Sequence, residues 1–411
     1  MGIMRKGLRA FGNLMPSLKG SMALVLFVVL CLSGLSCYEV GGRSISRPEG
    51  MRRQTMSLHK PAAKKILSTG AYTVECVDIN KQPAFDHPLL KNHKIQMKAS
   101  FSPKGMKNEV PTTGKLSEFV LPGEGCPLGT VPIQRTPFDG QSNAKSLQKL
   151  GPGNINPLSD KHPGQHFATL STGVTNVKYH GAQAVINIPN PTVKLHQVSM
   201  AQIWVQSGPQ AELNSIRVGW EINPRLYNDT LTHFTAYWTA DAFQKTGCYN
   251  LQCPGFVQWH RQIFLGTPYG RTSVIGKEQY ITDLKLLQAE MTGDWWLQLN
   301  NVTNIGYWPR ELFTHLADGA TFIQYGGLTY NSPDGISPPM GTGLRPDKND
   351  SCYFSNLKIV DAKYNLVNTR DFKMGKYVDQ VSCYDLKYWG NLDDYVEETF
   401  NFGGPGGSCG L

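Results

Sequence analysis

The chain has 411 residues, of which 40% are hydrophobic, 10% aromatic and only 17% charged, with 42 Gly and 26 Pro. This composition excludes a mainly disordered protein, a helical bundle and a coiled coil. The formal net charge of +9 lies in the first 65 residues, which hold eleven Lys or Arg and two acids. Because the rest of the chain holds 29 bases and 29 acids, nucleic acid is not a predicted partner.

The N-terminal segment has the layout of a secretory signal peptide. Basic residues between Arg5 and Lys19 precede an apolar run from Met22 to Leu35, and small residues follow. The run has about 14 residues, which is short for a bilayer span of about 20. We therefore predict a cleaved signal over residues 1–37 rather than a retained anchor, then a basic flexible segment over 38–69. The protein is expected to be secreted, extracellular or vacuolar, with no membrane attachment after cleavage.

Seven cysteines follow the predicted signal peptide, and in an oxidising compartment most of them should pair. Cys248 and Cys253 are close enough to close a small loop. Cys352 is expected to stay unpaired, and nothing marks it as a nucleophile. No CxxC pair indicates a zinc site, and neither a metal nor another cofactor is predicted. The exported route also predicts glycosylation at three N-x-S/T sequons, at Asn228, Asn301 and Asn349.

The composition and the hydrophobic pattern of the chain differ between a predicted N-terminal domain and a predicted C-terminal domain. Residues 70–155 are rich in Pro, Gly and polar residues and too irregular for a large core, so they predict a small accessory domain. A Cys76–Cys126 bridge would hold it together. Residues 160–411 contain short runs in which apolar and polar residues alternate, and these predict an all-β fold, a large antiparallel β-sandwich.

A few stretches of the C-terminal domain depart from this alternation. Only Lys277–Gln288 and Pro309–Leu316 look helical, and the Gly-rich end from Gly403 to Gly410 predicts a flexible tail. No nucleophile elbow, HExxH pair, phosphate loop or dinucleotide-binding glycine pattern is present.

Glu221 is an acid inside an otherwise apolar alternation. It lies on the face of its predicted strand opposite Val218, Trp220 and Ile222. From the alternation alone, a solvated strand carboxylate is the default interpretation. The aromatic pairs farther along the chain are likewise typical of a core.

Several long motifs, in one order, resemble the neprosin family of secreted plant proteins. They cover about residues 70–411 and include Gln202-Ile203-Trp204-Val205, Gly219-Trp220-Glu221, Tyr237-Trp238-Thr239-Ala240-Asp241, Thr246-Gly247-Cys248-Tyr249-Asn250-Leu251, Trp295-Trp296-Leu297 and Ile305-Gly306-Tyr307-Trp308-Pro309. The block from Cys76 to Gln96 is similar to the activation-peptide domain of that family. The resemblance implies a precursor with a signal, a disulfide-linked pro-domain and a β-sandwich of the glutamic-peptidase type that cleaves after or near proline at acidic pH. It also implies a Cys383–Cys409 bridge.

The resemblance implies catalysis by two glutamates in a cleft. One carboxylate takes a proton from water, while a second, protonated group polarises the peptide carbonyl and supplies the leaving amine with a proton. Glu221 matches the first glutamate, but the block that should supply the second reads Tyr325-Gly326-Gly327-Leu328 here. Leucine transfers no proton, and the loss of one member of such a pair costs several orders of magnitude in rate.

Two residues near Leu328 in the sequence are candidate substitutes for the missing glutamate. Gln324 shares the strand face of Leu328 but lies roughly 13 Å away along the strand, and Asp334 lies beyond a turn. Further candidates for the substrate cleft are residues of the same motifs: Gln202, Trp204, Tyr237 and Tyr330.

Three functions stay open at this stage. The preferred one is a degenerate peptidase that binds a peptide or proline-rich protein, with hydrolysis lost or strongly reduced. The second is an active acid peptidase that uses Glu221 with a substitute partner. The third is a non-catalytic extracellular or cell-wall binding protein. In each case the partners expected are the peptide or polymer and the chain's own pro-domain, and the protein is predicted to be a monomer.

Overall fold

The computed structural model describes residues 66–68, 73–97, 99, 103–105, 114–119, 124–135, 164–173, 176–300, 303–392 and 397–410. The predicted signal peptide, most of the basic segment, the boundary between the two predicted domains and Asn301 lie outside these residues. Within the described ranges, no helix has the length and hydropathy needed to span a membrane.

β-Strands are the main regular secondary structure of the described chain. The strands are β1 (Ile66–Ser68), β2 (Thr73–Asp78), β3 (Lys115–Leu116), β4 (Thr130–Arg135), β5 (Gln165–Ser171), β6 (Gly181–Asn187), β7 (Val198–Ser207), β8 (Asn214–Ile222), β9 (His233–Thr239), β10 (Cys248–Tyr249), β11 (Val257–Gln258), β12 (Tyr280–Gln288), β13 (Trp295–Leu299), β14 (Thr303–Trp308), β15 (Phe322–Tyr330), β16 (Ile336–Ser337), β17 (Tyr353–Val360), β18 (Leu366–Asn368), β19 (Gly375–Val378), β20 (Asp385–Asn391), β21 (Glu398–Gly403) and β22 (Gly407–Ser408). One short α-helix, α1, spans Pro224–Tyr227. Short 3-10 helices span Ile79–Lys81, Pro83–Asp86, Pro88–Leu90, Gln210–Glu212, Arg310–Leu312 and Thr369–Asp371.

Two large sheets form a sandwich, as the alternation predicts. The first has the strand order β10-β9-β8-β7-β15-β5-β19, and the second runs β11-β14-β13-β12-β6-β17-β21-β20, with β3 and β18 paired at its side. Nearly all strand pairs of the sandwich are antiparallel; the pairing of β3 with β12 is parallel. The all-β antiparallel sandwich with a disulfide-linked N-terminal segment is therefore confirmed.

The core lies between the inner faces of these two sheets. Ile203 and Val205 on β7 and Trp220 on β8 pack in one cluster with Leu284 on β12 and Phe354 on β17, all of them fully buried. Because side chains of a strand alternate between its faces, the residues between these core positions point to the outer face of the seven-stranded sheet. That outer face carries Glu221.

The N-terminal part of the described chain docks on the sandwich. Strands β1, β2 and β4 form a small antiparallel sheet, and the Cys76–Cys126 disulfide lies in an apolar cluster with Val74 and with Phe264 of the sandwich domain. Gln82 contributes a polar contact, since its side-chain amide bonds to the backbone N–H and C=O of Gln258 on β11. The predicted accessory domain is therefore packed against the sandwich.

The disulfide pairing follows the expectations. Cys248–Cys253 and Cys383–Cys409 are both formed, as is Cys76–Cys126. Cys352 is a free, buried thiol, and burial raises its pKa well above the usual value. These surroundings suit an inert core thiol better than a nucleophile.

Two helix expectations are wrong in the structure. Lys277–Gln288 contains no helix, because residues from Tyr280 onward form β12, a strand between β6 and β13. Ile281, Leu284 and Leu287 recur every three residues, which resembles the apolar face of a helix, but in the structure every residue of β12 is buried in the sheet. Pro309–Leu316 contains only the 3-10 turn Arg310–Leu312.

The expectation of a flexible tail is also wrong. Gly403 ends β21, which lies in the ten-stranded sheet, and β22 pairs with β16. Cys409 is buried and joined to Cys383. A side chain at Gly404 would meet the backbone oxygen of Cys383 at 2.0 Å, so this glycine serves close packing of two segments.

Candidate functional site

Glu221 and Leu328 point from the same row of the outer face. On β7, Met200 pairs with Glu221 of β8 on one side and with Leu328 of β15 on the other. Two strand spacings of about 4.8 Å place the two backbones about 10 Å apart. The structure thus brings the two predicted dyad positions into one row, with Met200 between them.

The carboxyl group of Glu221 is completely buried and has neutral hydrogen-bond partners. Asn223 donates to Oε1 at 2.6 Å, and Thr235 donates to Oε2 at 3.3 Å. The solvated carboxylate of the default interpretation is therefore wrong, since Glu221 is 0% exposed. Desolvation raises its pKa to about 7, against the weaker opposing effect of the Asn223 and Thr235 hydrogen bonds. Glu221 consequently carries a proton at acidic pH.

Leu328 belongs to an apolar cluster on the same face. It packs, fully buried, with Phe167, Met200, Trp204 and Tyr330. This cluster places buried apolar side chains in the same row as the Glu221 carboxyl and in nearby rows. A leucine here is compatible with ligand contact but supplies neither a proton nor a charge.

Neither of the two candidate substitutes, Gln324 and Asp334, forms a hydrogen bond to Glu221 in the described structure. The Gln324 amide donates to the Thr169 hydroxyl at 2.7 Å. Asp334 is exposed, and its carboxylate accepts hydrogen bonds from Ser332 Oγ and from the backbone N–H of Ile336, closing a turn. Among the described residues, the hydrogen bonds to Glu221 come from the amide of Asn223 and the hydroxyl of Thr235, not from an acid.

A row with two glycines lies next to the Glu221 row. Gln202 on β7 pairs with Gly219 of β8 and with Gly326 of β15. A Cβ atom at Gly219 would lie 2.0 Å from the carbonyl oxygen of Ala201, and one at Gly326 would lie 2.3 Å from that of Ala168. Only glycine fits at these two positions, so two of the strands carry no side chain in this row.

The next row contains an arginine that the sequence reading did not select. Arg217 pairs with Trp204 on one side and with Tyr237 on the other. Its guanidinium carbon lies 5.7 Å from the centre of the Trp204 ring, and the side chain is 3% exposed. Desolvation lowers the pKa of Arg217 to about 10, against smaller effects of Tyr330, Tyr237 and Tyr249. The residue still carries its positive charge at neutral and acidic pH.

Two tyrosines belong to this part of the outer face, Tyr237 in the row of Arg217 and Tyr330 one row beyond Leu328. Tyr237 and Tyr330 each interact electrostatically with both Arg217 and Glu221. Burial is the main cause that raises the pKa of both phenols, so they stay protonated. Their hydroxyl groups have no hydrogen-bond partner among the described residues, and neither has Oε1 of Gln202.

All of the cleft residues predicted from the sequence lie on this outer face. They are Glu221, Gln202, Trp204, Tyr237, Gln324, Leu328 and Tyr330. The strand pairings place all of them on the same side of β7, β8, β9 and β15. The same face adds Arg217, Thr235 and Tyr249, which sequence reasoning missed. The position of Arg217 in the alternation, four residues before Glu221, was an available signal. Their roles stay predictions.

Two of the three predicted glycosylation sites lie in the described part of the chain. Asn228 and Asn349 are exposed, and Asn228 ends α1 in the left-handed conformation with φ of 60°. Glycosylation at both stays a prediction. In the described parts of the chain, no three His, Cys, Asp or Glu side chains are grouped so that they could hold a metal ion.

The structure is a two-sheet β-sandwich with a buried acid on the outer face of one sheet, preceded by a disulfide-linked segment. A family model described as Neprosin matches residues 195–405, just over half of the 411-residue chain. A second model, Neprosin activation peptide, matches residues 65–173. The chain therefore belongs to the neprosin family.

Solved structures of glutamic peptidases resemble the chain at a low level. Two crystal structures of Scytalido-glutamic peptidase, one with a peptide-based transition state analog and one with a transition state analog inhibitor, give TM-scores of 0.32 and 0.35 at 11% and 10% identity. The structure of SCP-B, a member of the Eqolisin family of peptidases, in complex with the tripeptide Ala-Ile-His gives 0.31 at 11% identity. Each match covers 59% of this chain and 98% of the other.

Proposed function

We propose that this protein is a secreted neprosin-family member that binds peptide in the groove of its seven-stranded sheet and has lost most or all peptidase activity. The observation that carries the proposal is the row Glu221, Met200, Leu328. It holds one protonatable carboxyl where a dyad needs two. The family motif supplies its second glutamate at the position that Leu328 occupies here.

A lone carboxyl limits hydrolysis for a chemical reason. General-base attack by water needs an ionised carboxylate, and departure of the amine needs a proton donor. Two coupled carboxyls share one proton and provide both at acidic pH. Glu221, with a pKa raised to about 7 by burial, is almost fully protonated at acidic pH. It can then donate a hydrogen bond but cannot activate water.

The same face retains what peptide binding requires. Ligand sites are mostly apolar with a few fixed polar groups, and here Phe167, Leu328 and Trp204 supply apolar surface. The amide of Gln202 and the phenols of Tyr237 and Tyr330 supply unpaired polar groups. Because these side chains are buried in the full-length chain, a peptide must displace the residues that cover them. We propose that removal of the activation segment accompanies this opening.

Restoring the second carboxyl tests the proposal. The Leu328→Glu variant should gain cleavage of a proline-containing peptide near pH 4, measured by mass spectrometry, while the unmodified protein shows little or none. Leu328→Gln, which has the same shape without an ionisable group, should stay inactive. The double variant Glu221→Gln, Leu328→Glu should also be inactive if both carboxyls act together.

Two results would contradict the proposal. Substantial cleavage by the unmodified protein that Glu221→Gln abolishes would show an active peptidase with another partner for Glu221. Failure of any proline-containing peptide to raise the melting temperature would remove the peptide-binding function. The second result would favour a structural extracellular protein.

A further inference from the structure

A cavity of about 270 Å³ lies on the ten-stranded sheet, the sheet that does not carry Glu221. Its lining combines one tryptophan with polar side chains from the segment that precedes β17 and from β21. The residues that matter here are Asp347, Asn349, Asp350, Trp389 and Asn401. Pockets for drug-sized ligands begin at about 300 Å³, so this cavity has room for one small ligand unit.

Strand pairing places the polar floor of the cavity on the outer face of this sheet. Asn401 on β21 pairs with Lys387 on β20 and with Tyr353 on β17. Phe400 and Phe402, the neighbours of Asn401 along the strand, are fully buried in the core. Because side chains alternate between the two faces of a strand, Asn401 points away from the core.

Trp389 supplies an exposed aromatic surface to the cavity. The register of β20 against β21 shifts between Tyr388 and Gly390, and an irregularity of this kind re-aims a side chain. The Nζ atom of Lys387 lies 3.7 Å from the centre of the Trp389 ring, which places the ring on the same side of the sheet as Lys387. The side chain of Trp389 is 42% exposed, whereas tryptophan is highly buried on average. This ring is therefore a candidate contact surface.

Hydrogen bonds hold the polar lining in position. The carboxylate of Asp350 accepts from the backbone N–H of Gly276 at 2.7 Å, and the amide of Asn401 donates to Ser351 Oγ at 2.7 Å. A carboxylate and an amide oxygen each have more than one acceptor site. Asp350 and Asn401 can therefore accept hydrogen bonds from a ligand without giving up these contacts.

These groups match the chemistry of a neutral sugar. Sugar hydroxyls donate to carboxylate and amide oxygens, and the apolar C–H face of a sugar ring packs on the electron-rich face of an aromatic ring. The carboxylates of Asp347 and Asp350 disfavour an anionic ligand by like-charge repulsion, and Lys348, 3.3 Å from Asp347, offsets only one of them. Among the described residues, no three His, Cys, Asp or Glu side chains are placed to hold a metal ion.

Asn349 connects the same cavity with sugars by a separate observation. It lines the cavity, and it is also the acceptor residue of the sequon that ends at Ser351. A glycan attached to Asn349 would begin at the wall of the cavity. Its first sugar would therefore have a high effective concentration at Trp389, without the cost of an intermolecular encounter.

We infer that the cavity bounded by Trp389, Asp350 and Asn401 is a sugar-binding subsite. Trp389 stacks on one ring of the sugar, and Asp350 and Asn401 accept hydrogen bonds from its hydroxyls. The sugar has two possible sources, a glycan on Asn349 and a separate carbohydrate chain. The inference goes beyond the proposed peptide binding and uses the other sheet of the sandwich.

A titration with one soluble sugar tests the subsite. The probe is N,N′-diacetylchitobiose, the disaccharide at the base of N-linked glycans. The full-length chain is produced in the bacterial periplasm, where disulfides form and this type of glycan is absent. We expect a Kd on the order of 1 mM, as for a small ligand in an open site, measured by saturation-transfer NMR.

Variants locate the binding. Trp389→Ala should weaken binding of the probe about 10-fold, and Trp389→Phe about 3-fold, because a smaller ring keeps part of the stacking. Leu392→Ala is the control: Leu392 follows β20, is 54% exposed and does not line the cavity. It should bind the probe as the unmodified chain does. Circular dichroism and the melting temperature verify that each variant is folded.

The glycosylated protein distinguishes the two sources. The chain is secreted from a eukaryotic cell, and mass spectrometry of the peptide that contains Asn349 measures its occupancy. If a glycan on Asn349 fills the cavity, the glycosylated chain should not bind the probe that the periplasmic chain binds. Binding with the glycan in place, or an unmodified Asn349, would assign the cavity to a separate carbohydrate chain.

Three results would overturn the sugar subsite. They are failure of the periplasmic chain to bind the probe at about 10 mM, an unchanged Kd in folded Trp389→Ala, and an equal loss of binding in Leu392→Ala. None of them bears on the proposed function, since the peptide-binding groove lies on the seven-stranded sheet.

Discussion

Glu221 and Leu328 lie on opposite sides of Met200, one strand away from it in each direction. In a peptidase dyad, this spacing would place two carboxyls above the middle strand of the seven-stranded sheet. Here the row combines an acid that is fully buried with a hydrocarbon that is fully buried. The apolar neighbours keep water away from Glu221, and this same exclusion raises the pKa of the acid.

The pH dependence of stability should carry the signature of Glu221. Burial raises its pKa from 4.5 to about 7, so the folded state binds the proton more tightly than the unfolded state does. The stabilisation is fully present below about pH 4.5 and is lost as the pH rises through about 7. The shift corresponds to about 3 kcal/mol.

The measurement is the free energy of unfolding in urea between pH 4 and pH 8. We expect the unmodified protein to lose up to about 3 kcal/mol relative to Glu221→Gln over this range, because glutamine cannot ionise. The difference between the two proteins isolates Glu221 from other titrating groups. Parallel curves would show that Glu221 ionises without cost in the folded state.

Cys352 should be unreactive in the folded protein. The thiol is 0% exposed, and burial raises its pKa well above the usual value. Its Sγ lies 3.6 Å from the carbonyl oxygen of Asn187 in the core. Iodoacetamide at pH 8 should leave the peptide containing Cys352 unmodified until denaturant is added, as followed by mass spectrometry. Rapid labelling under native conditions would contradict the core assignment.

The disulfides of the sandwich should contribute unequally to stability. Cys383–Cys409 closes a separation of 26 residues and Cys248–Cys253 a separation of 5. The chain-entropy relation gives about 3.5 kcal/mol for the longer loop and about 2 kcal/mol for the shorter one. Replacing the first pair with serines should therefore lower the urea midpoint more than replacing the second. The reverse order would mean that packing around Cys248, rather than loop entropy, sets the contribution.

The sequence predicted the sandwich and the outer face of the seven-stranded sheet, because both follow from the alternation of side chains between the two faces of a strand. Once Trp220 is assigned to the core, alternation sends Arg217, Gly219 and Glu221 to the other face, and the register agrees. What alternation could not predict is burial. The outer face looked solvated from its polar residues, whereas Glu221 and Arg217 are almost inaccessible in the folded chain.

The failures at β12 and at the C-terminal tail have a common physical cause. Local sequence does not report which partners a segment will meet. β12 has strand neighbours on both sides, and the spacing of Ile281, Leu284 and Leu287, which resembles a helical period, does not reveal those neighbours. The glycines of the tail allow close packing, as at Gly404, where local composition alone indicated flexibility.

The contact of Gln82 with β11 should hold the activation segment on the sandwich. β11 is the first strand in the order of the ten-stranded sheet, so its outer edge has no strand neighbour within the described ranges. Gln82 takes that place: its amide donates to the carbonyl of Gln258 at 3.1 Å and accepts from the backbone N–H of Gln258 at 2.7 Å. Gln82 is 1% exposed, so Gln82→Ala would leave two backbone groups without these partners, at a cost on the order of 2 kcal/mol or more.

We expect hydrogen exchange in residues 79–97 of Gln82→Ala to accelerate at least 10-fold, while exchange in β7 and β8 changes little, because only the segment is released. Leu89→Ala is the matched control, since Leu89 is 59% exposed in the same segment and should leave exchange unchanged. Equal protection in Gln82→Ala and the unmodified protein would show that the apolar cluster around Cys76, Cys126 and Phe264 is sufficient to hold the segment in place.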